Sequence, residues 1–260
     1  MARCSIEQYG PDIQNFICAR SYVESMSSTS HPYRGLGCAF ALCALAIFAL
    51  LSGHPSGGGH TVAEVLQVEA RDRVRDGVVH GGFIVISAIL IVCLAGLSRI
   101  LGWTKVSVTI GFVAFCSGAG ALMMSMTLDG LVVPAIATRY LSEGTTQALA
   151  SAQTLLLFCG TCIKVLMPMG QSFEGAGILA YSVAMIARRW VLAGGFGVAA
   201  GIVMLGAPLL FSRLGPHVLI GGIVILCVWY FGVAGTLYRA SVPGASFPAP
   251  TADPFDQGPC

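Results

Sequence analysis

Charge is what this chain has least of. Asp, Glu, Lys and Arg make up 10% of its 260 residues, whereas a soluble domain carries about 25%. So little charge cannot coat a water-facing surface. It suits a lipid-facing one, since 55% of the residues are hydrophobic and the mean hydropathy is +0.80. No run of Lys and Arg interrupts the apolar stretches, and the net charge is only +2. A grip on a phosphate backbone is therefore excluded, and no nucleic-acid partner is expected. There is also no GxSxG, HExxH, Walker loop or Rossmann fingerprint, so no reaction is assigned and a non-enzymatic role is favoured.

Cysteine is plentiful, at ten residues, but it is not spaced as a disulfide framework. Cys38, Cys43, Cys93, Cys116 and Cys227 fall inside apolar runs, where the thiol behaves as a small hydrophobe. Cys4, Cys18 and Cys260 fall near the ends, where reducing cytoplasm suits free thiols. A secretory leader pattern is not seen, because residues 1–33 are mixed and polar. The first apolar run is expected to be an uncleaved span. The organisation is a polar tail over 1–33, a transmembrane domain over 34–240 and a disordered Pro-rich tail over 241–260.

The fold class is all-α, a polytopic transmembrane bundle. A helix of about 20 apolar residues crosses the hydrocarbon. Candidate spans run over Leu36–Leu51, Val78–Leu97, Val106–Leu128, Leu192–Phe211 and Val218–Leu237. The region Thr145–Ala187 is too long for one span and tight for two. One crossing there gives six spans and collects Arg3, Arg20, Arg34, Arg99, Lys105, Arg188, Arg189 and Arg239 on one face. The positive-inside bias makes that face cytoplasmic, with both termini. Two crossings would give seven spans and nearly erase the bias. Six are expected, with an outward apolar helix near Thr146–Cys162 and a span over Val165–Ala187.

The first outer loop carries one amphipathic helix. Thr61 and Glu64 stand at capping-box spacing. Val62, Leu66, Ala70, Val74 and Val78 recur every four residues as an expected apolar stripe. Small residues mark helix contacts: Gly197 and Gly201 form a GxxxG pair, Ser117 and Ala121 repeat the spacing, and Gly118 and Gly120 lie beside them. Such faces suit a membrane-protein partner or a second copy of the chain, beyond the lipid bilayer itself.

Ionisable groups at membrane depth are costly and so become site candidates. These are Lys164, Glu174, Asp129 and Gln171. Pro168 lies between Lys164 and Glu174 and is expected to kink the helix where the polar groups cluster. Glu174 either lines a cavity for a proton or cation, or is a neutral group bonded to a neighbouring helix. Asp129 either ends a span in solvent or pairs with Lys164. His54, His60 and His80 share the outer side but match no metal-ligand spacing, so neither a metal nor another cofactor is expected. The histidines do not form the paired intramembrane set of a haem protein. Cys159 and Cys162 make a CxxC, which in an apolar helix is read as chance rather than redox chemistry.

A first span, a charged amphipathic outer helix, a third span closed by Asp129-Gly130, a long apolar helix ending in Arg188-Arg189 and a Gly-rich stretch over Gly194–Gly201 follow in order. This layout resembles a bacterial six-span inner-membrane family known only as a domain of unknown function. The resemblance covers about Arg34 to Arg239 and implies a topology and an inner (plasma) membrane location, with no site residues. The expected function is a small non-enzymatic transporter or an accessory or sensor subunit. The alternatives are a membrane-embedded oxidoreductase or metal- or haem-binding subunit, and a structural subunit of a membrane complex.

Overall fold

The computed structural model describes residues 31–54, 61–214 and 217–242. Most of the two expected tails, and His60 with them, lie outside the described residues. The described chain is helical throughout, with no strand among the described residues. Its helices are α1 (His31–Gly53), α2 (Val62–Leu101), α3 (Val106–Thr127), α4 (Val133–Glu143), α5 (Thr146–Ala187), α6 (Val191–Leu205), α7 (Ala207–Leu214) and α8 (His217–Ala240). A π-helical turn, Leu128–Val132, joins α3 to α4.

The expected all-α bundle is therefore present. Five helical rods are long and apolar enough to cross a membrane: α1, α2, α3 continued through α4, α5 and α8. The expected span over Leu192–Phe211 is broken at Gly206 into α6 and α7. At 1.5 Å per residue the 15 residues of α6 reach only ~22 Å, short of the ~30 Å hydrocarbon. Among the described residues there are thus five helices of spanning length and one shorter apolar helix, rather than six uniform spans.

Helix α5 corrects a second expectation. It runs unbroken for 42 residues through Pro168, rather than as an outer helix followed by a separate span. A proline within an apolar helix is tolerated where neighbouring helices re-satisfy the freed backbone, and Pro168 is buried against them. An unbroken helix cannot double back, so this region does not cross twice.

The amphipathic outer helix is likewise no separate element. It is the first half of the 40-residue α2, opened by the expected capping box: Thr61 Oγ1 accepts from Glu64 N–H, and Glu64 accepts from Thr61 N–H. The apolar stripe does not hold along it. Leu66 is buried, while Val74 and Val78 are 69% and 64% exposed. A four-residue repeat advances ~40° beyond a full turn at each step, so by Val78 it has drifted to nearly the opposite face of the helix. Residues 62–77 of α2, helix α4 and the start of α5 pack around Leu66, Ala137 and Ala152. With seven charged side chains between Glu64 and Asp76, this extension stands clear of the hydrocarbon, and the spanning part of α2 begins at Val78.

The two ends of the bundle differ in charge. Arg34, Arg99, Lys105, Arg188, Arg189 and Arg239 share one end, where among the described residues there is no Asp or Glu. Arg34 donates to Ser241 Oγ (3.0 Å) and Arg188 to the Leu101 carbonyl (3.4 Å), which ties that end together. Apart from Glu174, every acidic side chain in the described residues belongs to the other end.

The core around Phe40, Leu94, Tyr181, Trp229 and Tyr230 is closed by glycine contacts. Gly118 of α3 faces Gly170 and Glu174 of α5, and Gly175 of α5 faces Gly201 of α6. Gly197 and Gly201 both lie at contacts, as expected, but Ser117 does not: it is exposed and returns its hydroxyl to the Val113 carbonyl. A Cβ at Gly118 would lie 2.6 Å from the Gly170 carbonyl oxygen and 2.7 Å from the Glu174 nitrogen, whereas one at Gly120 meets nothing within 4 Å. Gly118→Leu should therefore cost about 1–3 kcal/mol or more through overpacking, and Gly120→Leu should be near neutral. Thermal unfolding of the two variants in the same detergent measures the difference.

Candidate functional site

Two polar constellations stand out in this apolar frame, one at the acidic rim and one in the core. The rim cluster is built from three elements. His80 is buried at the start of the spanning part of α2. Asp129 sits on the π turn, where the Val133 N–H reaches back five residues to the Leu128 carbonyl. Pro134 follows with no N–H of its own to give, and a wide turn at this position absorbs the missing donor. Gly130 lets the turn lie directly on the His80 ring, because any Cβ there would overlap the imidazole. His54, at the end of α1, completes the group with its ring centroid 5.0 Å from that of His80. The chain is held there by Arg75, whose guanidinium donates to the Gly53 carbonyl (2.8 Å).

The bonds around His80 fix its roles. Its Nδ1 lies 3.0 Å from the Asp76 carbonyl oxygen, which can only accept, so Nδ1 carries the proton. Its Nε2 lies 3.2 Å from Asp129 Oδ2. The Asp76 carboxylate stands on the Nδ1 side at 3.8 Å. Sequence spacing expected Asp129 in solvent or with Lys164, and its partner is instead His80.

About two helical turns further out than Asp76, Glu69 of the extension belongs to the same acidic group. Burial, then the like charges of Asp76 and Asp129, push its carboxyl up to about 7 against a tempering effect of His80. Asp76 and Glu69 were not singled out in the sequence. Asp76 had a readable signal, since it precedes His80 by four residues on one helix face.

The core constellation centres on Glu174 and Gln171 of α5, both buried. They border a cavity of about 60 Å³ together with Ser87, Phe115, Met126 and Tyr230. Gln171 Nε2 donates to the Leu219 carbonyl (2.8 Å), across the space that Gly222 leaves open. The Tyr230 hydroxyl is buried with no hydrogen-bond partner among the described residues. No cationic side chain lines the cavity. A space of this size takes a few waters and no organic molecule. Nothing in the sequence pointed to Tyr230 or Ser87, because partners on different helices leave no spacing signal.

Lys164 joins neither group. It is exposed, on a shallow groove with Thr61, Val62 and Gln153. It is ten residues from Glu174, or ~15 Å along the helix. Cys159 and Cys162 are free thiols on one continuous helix, the first buried and the second half-buried. The four polar candidates thus separate into a core pair (Glu174, Gln171), a rim residue (Asp129) and a surface lysine. No family model matches the chain, and neither a curated protein nor a solved structure matches it.

The charge on Glu69 has a measurable consequence. The folded chain holds that proton up to about pH 7, against an ordinary carboxyl value of 4.5. Its contribution to stability is therefore full below pH 4.5 and is lost as the pH rises through about 7. Glu69→Gln should raise the melting temperature at pH 8 and leave it unchanged at pH 4. A thermal denaturation series across that range, in chelator, reads the effect.

Proposed function

We propose that this chain is a small, non-enzymatic transporter of the inner (plasma) membrane that passes protons, alone or coupled to a small solute. In this reading Glu174 is the group that takes up and releases the proton. The observation that carries it is a carboxyl enclosed in the middle of an apolar bundle, beside a small cavity shared with a buried amide and a buried phenol. An ionisable side chain at that depth is costly and has no cationic neighbour to justify it structurally. The size of the cavity favours a proton or a water-sized species over an organic substrate.

The topology proposed with it is six crossings, α6 and α7 together supplying the short one. The basic end then faces the cytoplasm, by the charge bias of that end. An even number of crossings leaves both termini on that side.

Proteoliposomes loaded with a pH-sensitive dye and given an imposed pH gradient test the proposal. The wild-type chain should collapse the gradient faster than empty liposomes. Glu174→Gln, which keeps shape and removes the titrating proton, should return the rate to the empty-liposome level while its melting temperature holds. Equal rates for wild type and Glu174→Gln, or for wild type and empty liposomes, would overturn it.

A further inference from the structure

The rim cluster has a geometry that a simple ion pair does not need. His54, His80 and Asp129 come from three different elements, yet each offers one donor atom, and those atoms lie within 4.8 Å of one another. With Nδ1 protonated toward the Asp76 carbonyl, His80 turns Nε2 toward Asp129 at 3.2 Å. If Nε2 is unprotonated, two lone pairs face each other there, and something positive belongs between them. A proton would serve that pair alone. A metal ion accounts for all three, since two donors of one tetrahedral ion, each at about 2.0–2.1 Å, stand roughly 3.3 Å apart.

The surroundings point the same way. His80 is buried and held by a backbone carbonyl through its other nitrogen, the arrangement that orients metal-ligating imidazoles. Asp76, Glu69 and Asp129 place three carboxyl groups about the buried ring. Asp129 is 38% exposed and His54 is exposed, so the cluster is reached from the aqueous end.

We propose that His54, His80 and Asp129 bind one divalent transition-metal ion of the zinc class at the acidic end of the bundle, with a fourth position open to water. Two imidazoles and one carboxylate suit zinc and its neighbours, whereas calcium and magnesium need six or more oxygen ligands. Such an ion would join the end of α1, the start of the spanning part of α2 and the turn between α3 and α4. The site is independent of Glu174.

The test uses the full chain in detergent, stripped with chelator and titrated with zinc and, separately, with cobalt(II). Metal content after desalting gives the stoichiometry, and a competing dye gives the affinity. The expected result is one equivalent of zinc, a higher melting temperature with metal, and a cobalt spectrum without a thiolate charge-transfer band. His54→Ala should weaken zinc binding by about tenfold or more, and should lose most of the rise in melting temperature that metal gives over the same variant without metal. Asp129→Asn should weaken binding at least as much. Failure to bind zinc would overturn the proposal and leave His80 and Asp129 as a proton-sharing pair. So would binding that His54→Ala and Asp129→Asn leave intact, or a thiolate band that cysteine alkylation removes.

Discussion

Helix α5 lies against α3 and α6 at backbone contact distance, and the rest of the core depends on that closeness. In lipid, helices gain little from hiding apolar surface, so they associate through close packing. Glycines supply it here. Gly118 receives Gly170 and Glu174, Gly177 receives Gly111 and Phe115, and Gly175 receives Gly201. The same contacts put the polar groups where they are. Glu174 reaches the bundle centre against Gly118, which has no side chain to displace it, and Gln171 fills the space left by Gly222. Pro168 stays within an unbroken helix at the point where α5 passes from a largely exposed first half into its buried second half.

The parts of this architecture legible in the sequence were those set by composition or by short spacing. Hydropathy gave the all-α membrane bundle, Thr61 and Glu64 gave the start of α2, and the Gly197 and Gly201 pair gave one true contact. Features that depend on partners far apart in the chain were not legible. His80 and Asp129 are 49 residues apart and meet only because a π turn and Gly130 bring the third rod onto the second. Tyr230 joins Glu174 from the last helix. Local rules also failed in two specific ways. The four-residue stripe on α2 ignored the drift of such a repeat around a 3.6-residue helix. Cutting residues 145–187 into an outer helix and a separate span missed that α5 is one helix of 42 residues.

Charge is arranged as strictly as the glycines. Among the charged residues described, one end of the bundle holds basic ones alone, and the other holds a mixture of carboxyl groups with arginine and lysine. At the mixed end Arg71 is matched to Asp72 at 2.9 Å and Arg139 to Glu143 at 3.4 Å, both on exposed surface. Exposed pairs of this kind contribute little to stability, because water and salt screen them. The carboxyl groups near His80 are different, because Asp76 and Asp129 face a buried imidazole rather than a guanidinium on open surface. Their arrangement asks for a cation, whereas the pairs further out merely neutralise each other.

The core carboxyl and the rim cluster share one wall. Phe83 lines the cavity beside Glu174 and follows His80 by three residues, less than one turn of α2. Ser87, one turn deeper, lines the same cavity. A single turn of helix therefore separates a group facing water from a cavity closed within apolar side chains. Any shift of α2 at His80 must move Phe83 and Ser87 with it, because a helix transmits displacement along its axis as a rigid rod over so short a length. Occupancy of the rim by a cation would fix that turn against α3 through Asp129 and against α1 through His54. The two constellations thus stand on one wall of the bundle, and they have no side chain in common.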